Sequence, residues 1–225
     1  MGRQYDDRYN AMRDRKDLLA MQALAPLCTA YVPWSISAMR PSGIVAILNE
    51  ITVNRRRTVV ELGGGVSTLY IARLLQRRGG HVWTVEHDEG WADLLTEELA
   101  NEALDRTVTV IRAPLAPVGG GWPGEDGAWY AQDCLGPALA GCRVDLLVVD
   151  GPPAYQAGRG HARYPAARFF APLFADDYTV VLDDIDRPGE QEIMERWAAE
   201  LGVTFECRLV DGGIAIGRRK AAFSI

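Results

Sequence analysis

The stretch Thr58-Val-Val-Glu-Leu-Gly-Gly-Gly-Val-Ser-Thr68 decides how this chain folds. An apolar run of strand length ends in three glycines and passes at once into residues with helical spacing, so a strand enters a helix through a tight turn. Two later runs, Leu146-Leu147-Val148-Val149 and Val180-Val181-Leu182, are apolar without alternation. Continuous apolar runs of that length belong to strands buried on both faces of a parallel sheet. Helices must then cover both faces. Ile193, Trp197 and Leu201 supply one covering stripe, with Pro188 in the first turn and Gly202 just past the end.

Outward from the glycine turn the pattern alternates: strand 58–62, helix 66–77, strand 81–86, helix 89–104, strand 107–112. Residues 113–141 then read as a glycine- and proline-rich insertion around Trp122, Trp129 and Tyr130, with a short helix near 134–140. Such an irregular insertion in a compact domain is usually functional or mobile. The alternation resumes with strand 144–149, helix 163–174, strand 178–183 and helix 188–201. Strands 203–210 and 213–218 close the chain, joined as a hairpin by Asp211-Gly212-Gly213. The expected fold is α/β, a doubly wound, mostly parallel seven-stranded sheet of Rossmann-like layout whose last strand is antiparallel.

Ahead of the sheet, residues 1–17 alternate in charge and read as an exposed arm or the start of a helix, and 18–51 as helical pieces broken at Pro26, Pro33 and Pro41. Residues 1–40 are therefore expected to form an N-terminal helical extension, an arm or lid that would include Trp34, Ser35 and Ser37 or build a homodimer, and residues 41–225 the main domain. Arg55-Arg56-Arg57 follows the helix carrying Ile44, Ile47, Leu48 and Ile51 and reads as its solvated end, where cations suit the dipole.

Composition sets the outer limits. A chain of 225 residues buries about 70% of its extended surface on folding, enough for a core without metal or disulfide staples. With 48% hydrophobic and 24% charged residues, disordered and collagen-like chains are excluded. The net charge of −6 argues against nucleic acid as a partner. The N-terminus is charged rather than apolar, and no apolar run approaches the ~20 residues of a membrane span. A cytoplasmic protein without membrane contact is expected. Cys28, Cys134, Cys142 and Cys207 form no C-x-x-C pair, so free thiols are expected. Lysine occurs only at Lys16 and Lys220, which removes it as a base in the body of the chain.

Ligands of open α/β sheets bind beyond the carboxyl ends of the strands, and here those ends are acidic. Glu61 lies near the end of the first strand, Glu86 ends the second, Asp150 the fourth and Asp183-Asp184 the fifth. The Gly63-Gly64-Gly65 turn lets backbone approach a ligand closely. No phosphate-loop lysine follows it, the third glycine of the dinucleotide fingerprint would fall at Thr68, and Glu61 is a poor neighbour for pyrophosphate. A ligand carrying hydroxyls and positive charge fits better, with Glu86 placed to grip a ribose diol.

Together, Glu61-Leu-Gly-Gly-Gly-Val-Ser-Thr68, Val85-Glu86-His87-Asp88, Val148-Val149-Asp150-Gly151-Pro152 and Val181-Leu182-Asp183-Asp184 resemble the ordered motifs of class I S-adenosylmethionine-dependent methyltransferases, over about residues 40–218. The resemblance implies S-adenosylmethionine as cofactor, with Glu61, Gly63, Gly64, Gly65, Ser67 and Thr68 on its amino-acid and ribose side and Glu86 on the diol. It also implies His87 as a further contact, Ala113-Pro114 near the adenine, and Asp150 bordering both cofactor and acceptor. Within the superfamily the chain is most similar to small catechol-type O-methyltransferases, which implies a small-molecule hydroxyl as acceptor and a divalent ion, Mg2+ or Mn2+, on Asp150, Asp183 and Asp184. It departs from that pattern in having Asp184 where asparagine is usual, in lacking the lysine base, and in its long 113–141 insertion. The proton acceptor is then Asp150 or His161.

His161 belongs to a polar cluster with Arg159, Arg163, Tyr164 and Arg168, whose arginines either answer nearby acids or face the substrate. Two other readings are open. The triple-glycine turn is similar to that of spermidine synthases, aminopropyltransferases with an acid after the glycines where this chain has Val66. A non-catalytic nucleoside-binding protein could use the same sheet.

Overall fold

The computed structural model describes residues 2–125, 127–220 and 222–223, with side chains from residue 7 onward. Seven strands form one sheet: β1 (Thr58–Leu62), β2 (His81–Glu86), β3 (Val108–Arg112), β6 (Val144–Val149), β7 (Phe174–Leu182), β8 (Thr204–Arg208) and β9 (Ile214–Arg218). Their order is β3-β2-β1-β6-β7-β9-β8. β9 is antiparallel to both its neighbours, and the other four pairings are parallel. The chain leaves β1 toward β2 on one side and returns to its other side with β6, so the crevice where strand order reverses lies beside β1.

Alternate residues of the apolar runs enter opposite cores, as burial on both faces requires. Val59, Leu146, Val148 and Val181 pack with Ile44, Ile47, Ile71 and Leu75 of helices α2 (Pro41–Val53) and α3 (Val66–Arg78). Val60, Leu147, Val149 and Val180 face the other way, against Trp129, Phe170, Ile193 and Trp197. The last two lie on α7 (Pro188–Leu201), whose cap Gly202 has φ +62. Helix α4 (Glu89–Asn101) stops three residues earlier than expected.

Three regions refine the sequence expectation. Within the insertion, β4 (Leu115–Pro117) and β5 (Ala128–Tyr130) pair antiparallel as a separate two-stranded ribbon, followed by α5 (Gln132–Ala138). The expected helix 163–174 contracts to α6 (Pro165–Phe170) and a 3₁₀ turn at Ala171–Leu173, because Pro165 sets its start and Pro172 denies it a donor. At the N-terminus, residues 2–24 form one helix, α1 (Gly2–Leu24), the helical of the two readings of residues 1–17 and continuous to residue 24. Asp17 of α1 docks it: its carboxylate accepts hydrogen bonds from the Ser42 N–H (3.1 Å) and Oγ (2.6 Å) at the start of α2 and pairs with Arg40. An acid there satisfies an orphan N–H at the helix's positive end.

The Arg55-Arg56-Arg57 triplet is only in part a solvated end: Arg55 and Arg57 are exposed, but Arg56 is not. Arg56 is 3% exposed and donates to Thr179 Oγ1, to the Asp177 carbonyl and to the Asp177 carboxylate. A guanidinium inserted at the amino ends of the strands ties the α2–β1 link to β7. Beside it, buried Glu50 accepts from Arg218 Nε (3.0 Å), Thr179 Oγ1 (3.1 Å) and Asn54 Nδ2 (2.8 Å), joining α2 to β7 and β9. Among the described residues no helix is long and apolar enough to cross a membrane.

Removing one partner of a buried pair leaves an uncompensated charge. Glu50→Ala is therefore expected to lower unfolding stability by about 3 kcal/mol, read from urea denaturation. A loss under about 1 kcal/mol would show that Glu206 alone satisfies Arg218.

Candidate functional site

The glycine turn is built by packing as much as by the opening it leaves. Gly63 has φ +90, a left-handed conformation that disfavours side chains, and a Cβ there would lie 3.0 Å from the Gly151 backbone nitrogen. A Cβ on Gly64 would meet Thr84 Oγ1 at 2.7 Å and Leu95 Cδ2 at 2.8 Å. Only Gly65 has open space before it, with nothing within 4 Å. Its N–H donates to Thr68 Oγ1 at 2.9 Å as α3 begins.

Glu61 lies beneath this turn, fully buried. It accepts hydrogen bonds from Ser67 Oγ (2.6 Å), Thr84 Oγ1 (3.1 Å) and the Thr68 hydroxyl. Burial pushes its carboxyl up to about 7, against the opposing pull of those three hydroxyls. Glu61 and Thr68 therefore brace the loop from below, whereas Ser67 reaches the cavity above it.

At the end of β2, Glu86 Oε1 accepts from the N–H groups of His87 (2.7 Å) and Asp88 (2.9 Å). Both bonds fall on one oxygen, so the carboxylate is oriented with Oε2 unclaimed by the loop. Asp88 caps α4 by accepting from the Trp91 N–H at 2.8 Å, and Trp91 Nε1 donates to the Gly64 carbonyl at 2.7 Å, fixing the second loop to the first.

The acids after β6 and β7 converge. Asp150, Asp183 and Asp184 present oxygens that all lie within 4.8 Å of one another. Side-chain alternation would send Asp183 and Asp184 to opposite faces. β7, however, ends at Leu182 and Asp184 takes φ +60, a left-handed turn that aspartate tolerates and that brings its carboxylate back to the group. Buried Arg163 enters among them. Its Nη2 donates to the Asp150 carbonyl (2.6 Å), Asp150 Oδ1 (3.3 Å) and Asp184 Oδ2 (2.8 Å), and its Nη1 to the Asp183 carbonyl (3.1 Å). Burial foremost, then the neighbouring acids, raises the carboxyls of Asp150 well above the usual range and of Asp183 to about 6, while Arg163 pulls both down.

Gly63, Gly64, Gly65, Ser67, Glu86, His87, Asp150, Asp183 and Asp184 thus line one cavity of about 520 Å³. Other expected residues do not line it. The Ala113 N–H donates to the Glu86 carbonyl at 2.8 Å and the Pro114 carbonyl accepts from the Ala131 N–H at 2.9 Å, so both shape the wall from outside. His161 is held elsewhere. Its ring lies flat on Trp122, 3.8 Å between centroids, with Nδ1 2.6 Å from Glu125 and Nε2 2.9 Å from Glu192. With both ring nitrogens engaged by carboxylates away from the cavity, it is corrected from a proton acceptor to a clasp between the insertion and α7.

Sequence reasoning missed Tyr130 and left Arg163 open. Tyr130 ends β5, is fully buried and lines the cavity, and its hydroxyl has no partner among the described residues. A Cβ on Gly151 would lie 2.2 Å from that hydroxyl, so glycine there makes room for it. The available signal was an aromatic pair, Trp129-Tyr130, in an otherwise loop-like insertion. The N-terminal segment adds Arg13, Ser35, Ile36, Ser37 and Met39 to the cavity lining, while Trp34 packs toward Tyr70.

A family profile described as a methyltransferase domain matches residues 60–185, and the chain belongs to that family. No curated protein matches the sequence. Solved structures share the fold. They include the S-adenosylhomocysteine-bound methyltransferase PaMTH1 of Podospora anserina (16% identity, 98% of this chain and 97% of that one, TM-score 0.59). An O-methyltransferase of Bacillus cereus in complex with S-adenosylhomocysteine is also similar (16%, 91% and 90%, 0.53). So is the O-methyltransferase TomG of Streptomyces achromogenes, in complex with S-adenosylmethionine and involved in tomaymycin synthesis (17%, 90% and 88%, 0.53).

The raised Glu61 carboxyl has a measurable consequence. Between its ordinary value of 4.5 and about 7, the folded chain holds a proton that the unfolded chain releases, so stability falls as pH rises through that window, by about 3 kcal/mol for this one group. Glu61→Gln is expected to remove that part of the decline in urea denaturation at about pH 5 and pH 7. An unchanged slope would mean that Glu61 ionises normally in the fold.

Proposed function

We propose that the cavity binds S-adenosylmethionine and that the protein transfers its methyl group to the hydroxyl of a small molecule. The observation that carries this is the pairing, across one cavity, of an open glycine position at Gly65 with the oriented Glu86 carboxylate on one side and Asp150 on the other. The residues fit the cofactor's chemistry. A sulfonium is favoured beside carboxylates, a diol can donate to Glu86 Oε2, and the unpartnered Tyr130 hydroxyl lies between the Glu86 and Asp150 sides.

When bound, S-adenosylmethionine supplies an electrophilic methyl group on sulfur. The protein's part is to orient and to manage one proton. Gly63, Gly64 and Gly65 set a backbone wall, Ser67 and His87 extend it, and Glu86 fixes the ribose. Asp150 borders the acceptor side, and a carboxyl raised above its usual range is better able to hold a hydroxyl proton near neutrality than an ordinary one. His161 has no such access. At the mouth, Ile36 and Tyr155 are exposed and Met39 lies deeper, which suits an acceptor with an apolar body.

Two substitutions test the cofactor side. Glu86→Ala should weaken S-adenosylmethionine binding in calorimetry by about 1.5 to 3 kcal/mol, the scale of a hydrogen bond to a charged group. Unchanged affinity would remove Glu86 from the binding site. The glycines should separate by mechanism. Gly65→Val projects into open space, so it should abolish binding while changing stability by less than about 0.5 kcal/mol. Gly63→Val should instead cost at least about 2 kcal/mol of stability through its positive φ and the Gly151 backbone. A Gly65→Val variant that binds normally would place the ligand elsewhere.

A further inference from the structure

The all-oxygen donor set of Asp150, Asp183 and Asp184 suits Mg2+ or Mn2+ in chemistry and spacing. One oxygen of Asp150 and one of Asp184 are nevertheless already bridged. Arg163 Nη2 holds Asp150 Oδ1 and Asp184 Oδ2 together, and Arg187 Nη1 makes a second contact, 2.9 Å, with the same Asp184 oxygen. An ion collecting all three carboxylates would either draw two of them away from a guanidinium that is 3% exposed or take their other oxygens and lie against that buried cation. Arg163 would keep backbone carbonyls and Glu190, whose Oε1 lies 3.7 Å from Nη1. A buried cation left with Glu190 as its carboxylate partner, or faced by a second cation, is disfavoured. As they stand, the residues do not fit a divalent ion.

We propose that Arg163 is the resident cation of this site: its guanidinium occupies the position from which a divalent ion would bridge Asp150 and Asp184, and the chain works without such an ion. Arg163 is rigid, permanently charged and forked, so it can hold two carboxylates at once. It comes from the segment between β6 and α6 and lines the cavity beside Asp150, Asp183 and Asp184. The catalytic meaning of this inference rests on the methyl-transfer reading. Its test does not.

Mn2+ binding followed by electron paramagnetic resonance reads the site directly, with no cofactor or acceptor present. Wild-type protein is expected to bind no Mn2+ up to about 1 mM, the weak end of carboxylate sites for divalent ions. Arg163→Met, which keeps side-chain length without charge, should bind Mn2+ at least about tenfold more tightly and rise in melting temperature when Mn2+ is added, as a ligand selective for the folded state requires. Adding Asp184→Asn should remove that gain, and Arg163→Lys, which keeps a cation, should not show it. Micromolar binding by the wild type that is lost in Asp183→Asn would overturn the proposal, as would a folded Arg163→Met protein that gains no affinity. Should Arg163→Met fail to fold, the wild-type titration decides alone. Failure of the methyl-transfer reading would appear separately, as absence of S-adenosylmethionine binding in calorimetry.

Discussion

Because β1, β2, β6 and β7 run parallel, their carboxyl ends and the acids that follow them share one edge, and everything at the cavity answers to that constraint. Glu86, Asp150, Asp183 and Asp184 cannot be separated without changing the sheet. Concentrated negative charge in a site of low dielectric has to be neutralised, by partners or by protons. The two ends of the edge solve this differently. Glu86 is held by two backbone amides on one oxygen, which orients the carboxylate. Asp150 and Asp183 share Arg163 and carry raised carboxyls, which leaves proton affinity where an acceptor hydroxyl would lie.

The same geometry explains why the glycine turn is triple. Only at Gly65 would an added side chain meet open space. Gly63 concerns the backbone of Gly151, just past the neighbouring strand β6, and Gly64 concerns Thr84 and Leu95. Two glycines therefore let β1, β2 and β6 end close together, and the third keeps the resulting crevice open. Glu61 and Thr68, beneath them, convert a loop that could move into one fixed by buried hydrogen bonds.

Much of this was legible in the sequence because it is local or periodic. Continuous apolar runs reported the two-faced sheet, and the acids at their ends reported the crevice. What escaped notice depends on contacts distant along the chain. Tyr130 reaches the cavity because β4 and β5 pair, and a three-residue strand inside a glycine-rich stretch carries no periodic signal. Arg163 and His161 sit two residues apart in one polar cluster, yet one turns into the acids and the other onto Trp122; nothing in residue type separates them. Arg56 was misread for the converse reason: a basic triplet has the composition of a solvated end, and only β7 passing beneath it makes a buried one. Asp184 joined Asp183 through a left-handed turn, which alternation alone argues against.

The central claim is that one cavity, walled by the glycine turn and by Glu86, receives S-adenosylmethionine. Ultraviolet cross-linking of radiolabelled S-adenosylmethionine to the intact chain, followed by peptide mapping, tests it most directly. The account predicts label on peptides carrying residues 63–67, 86–91 or Tyr130, lost on competition with unlabelled S-adenosylhomocysteine. Competable label confined to peptides outside the cavity would contradict it.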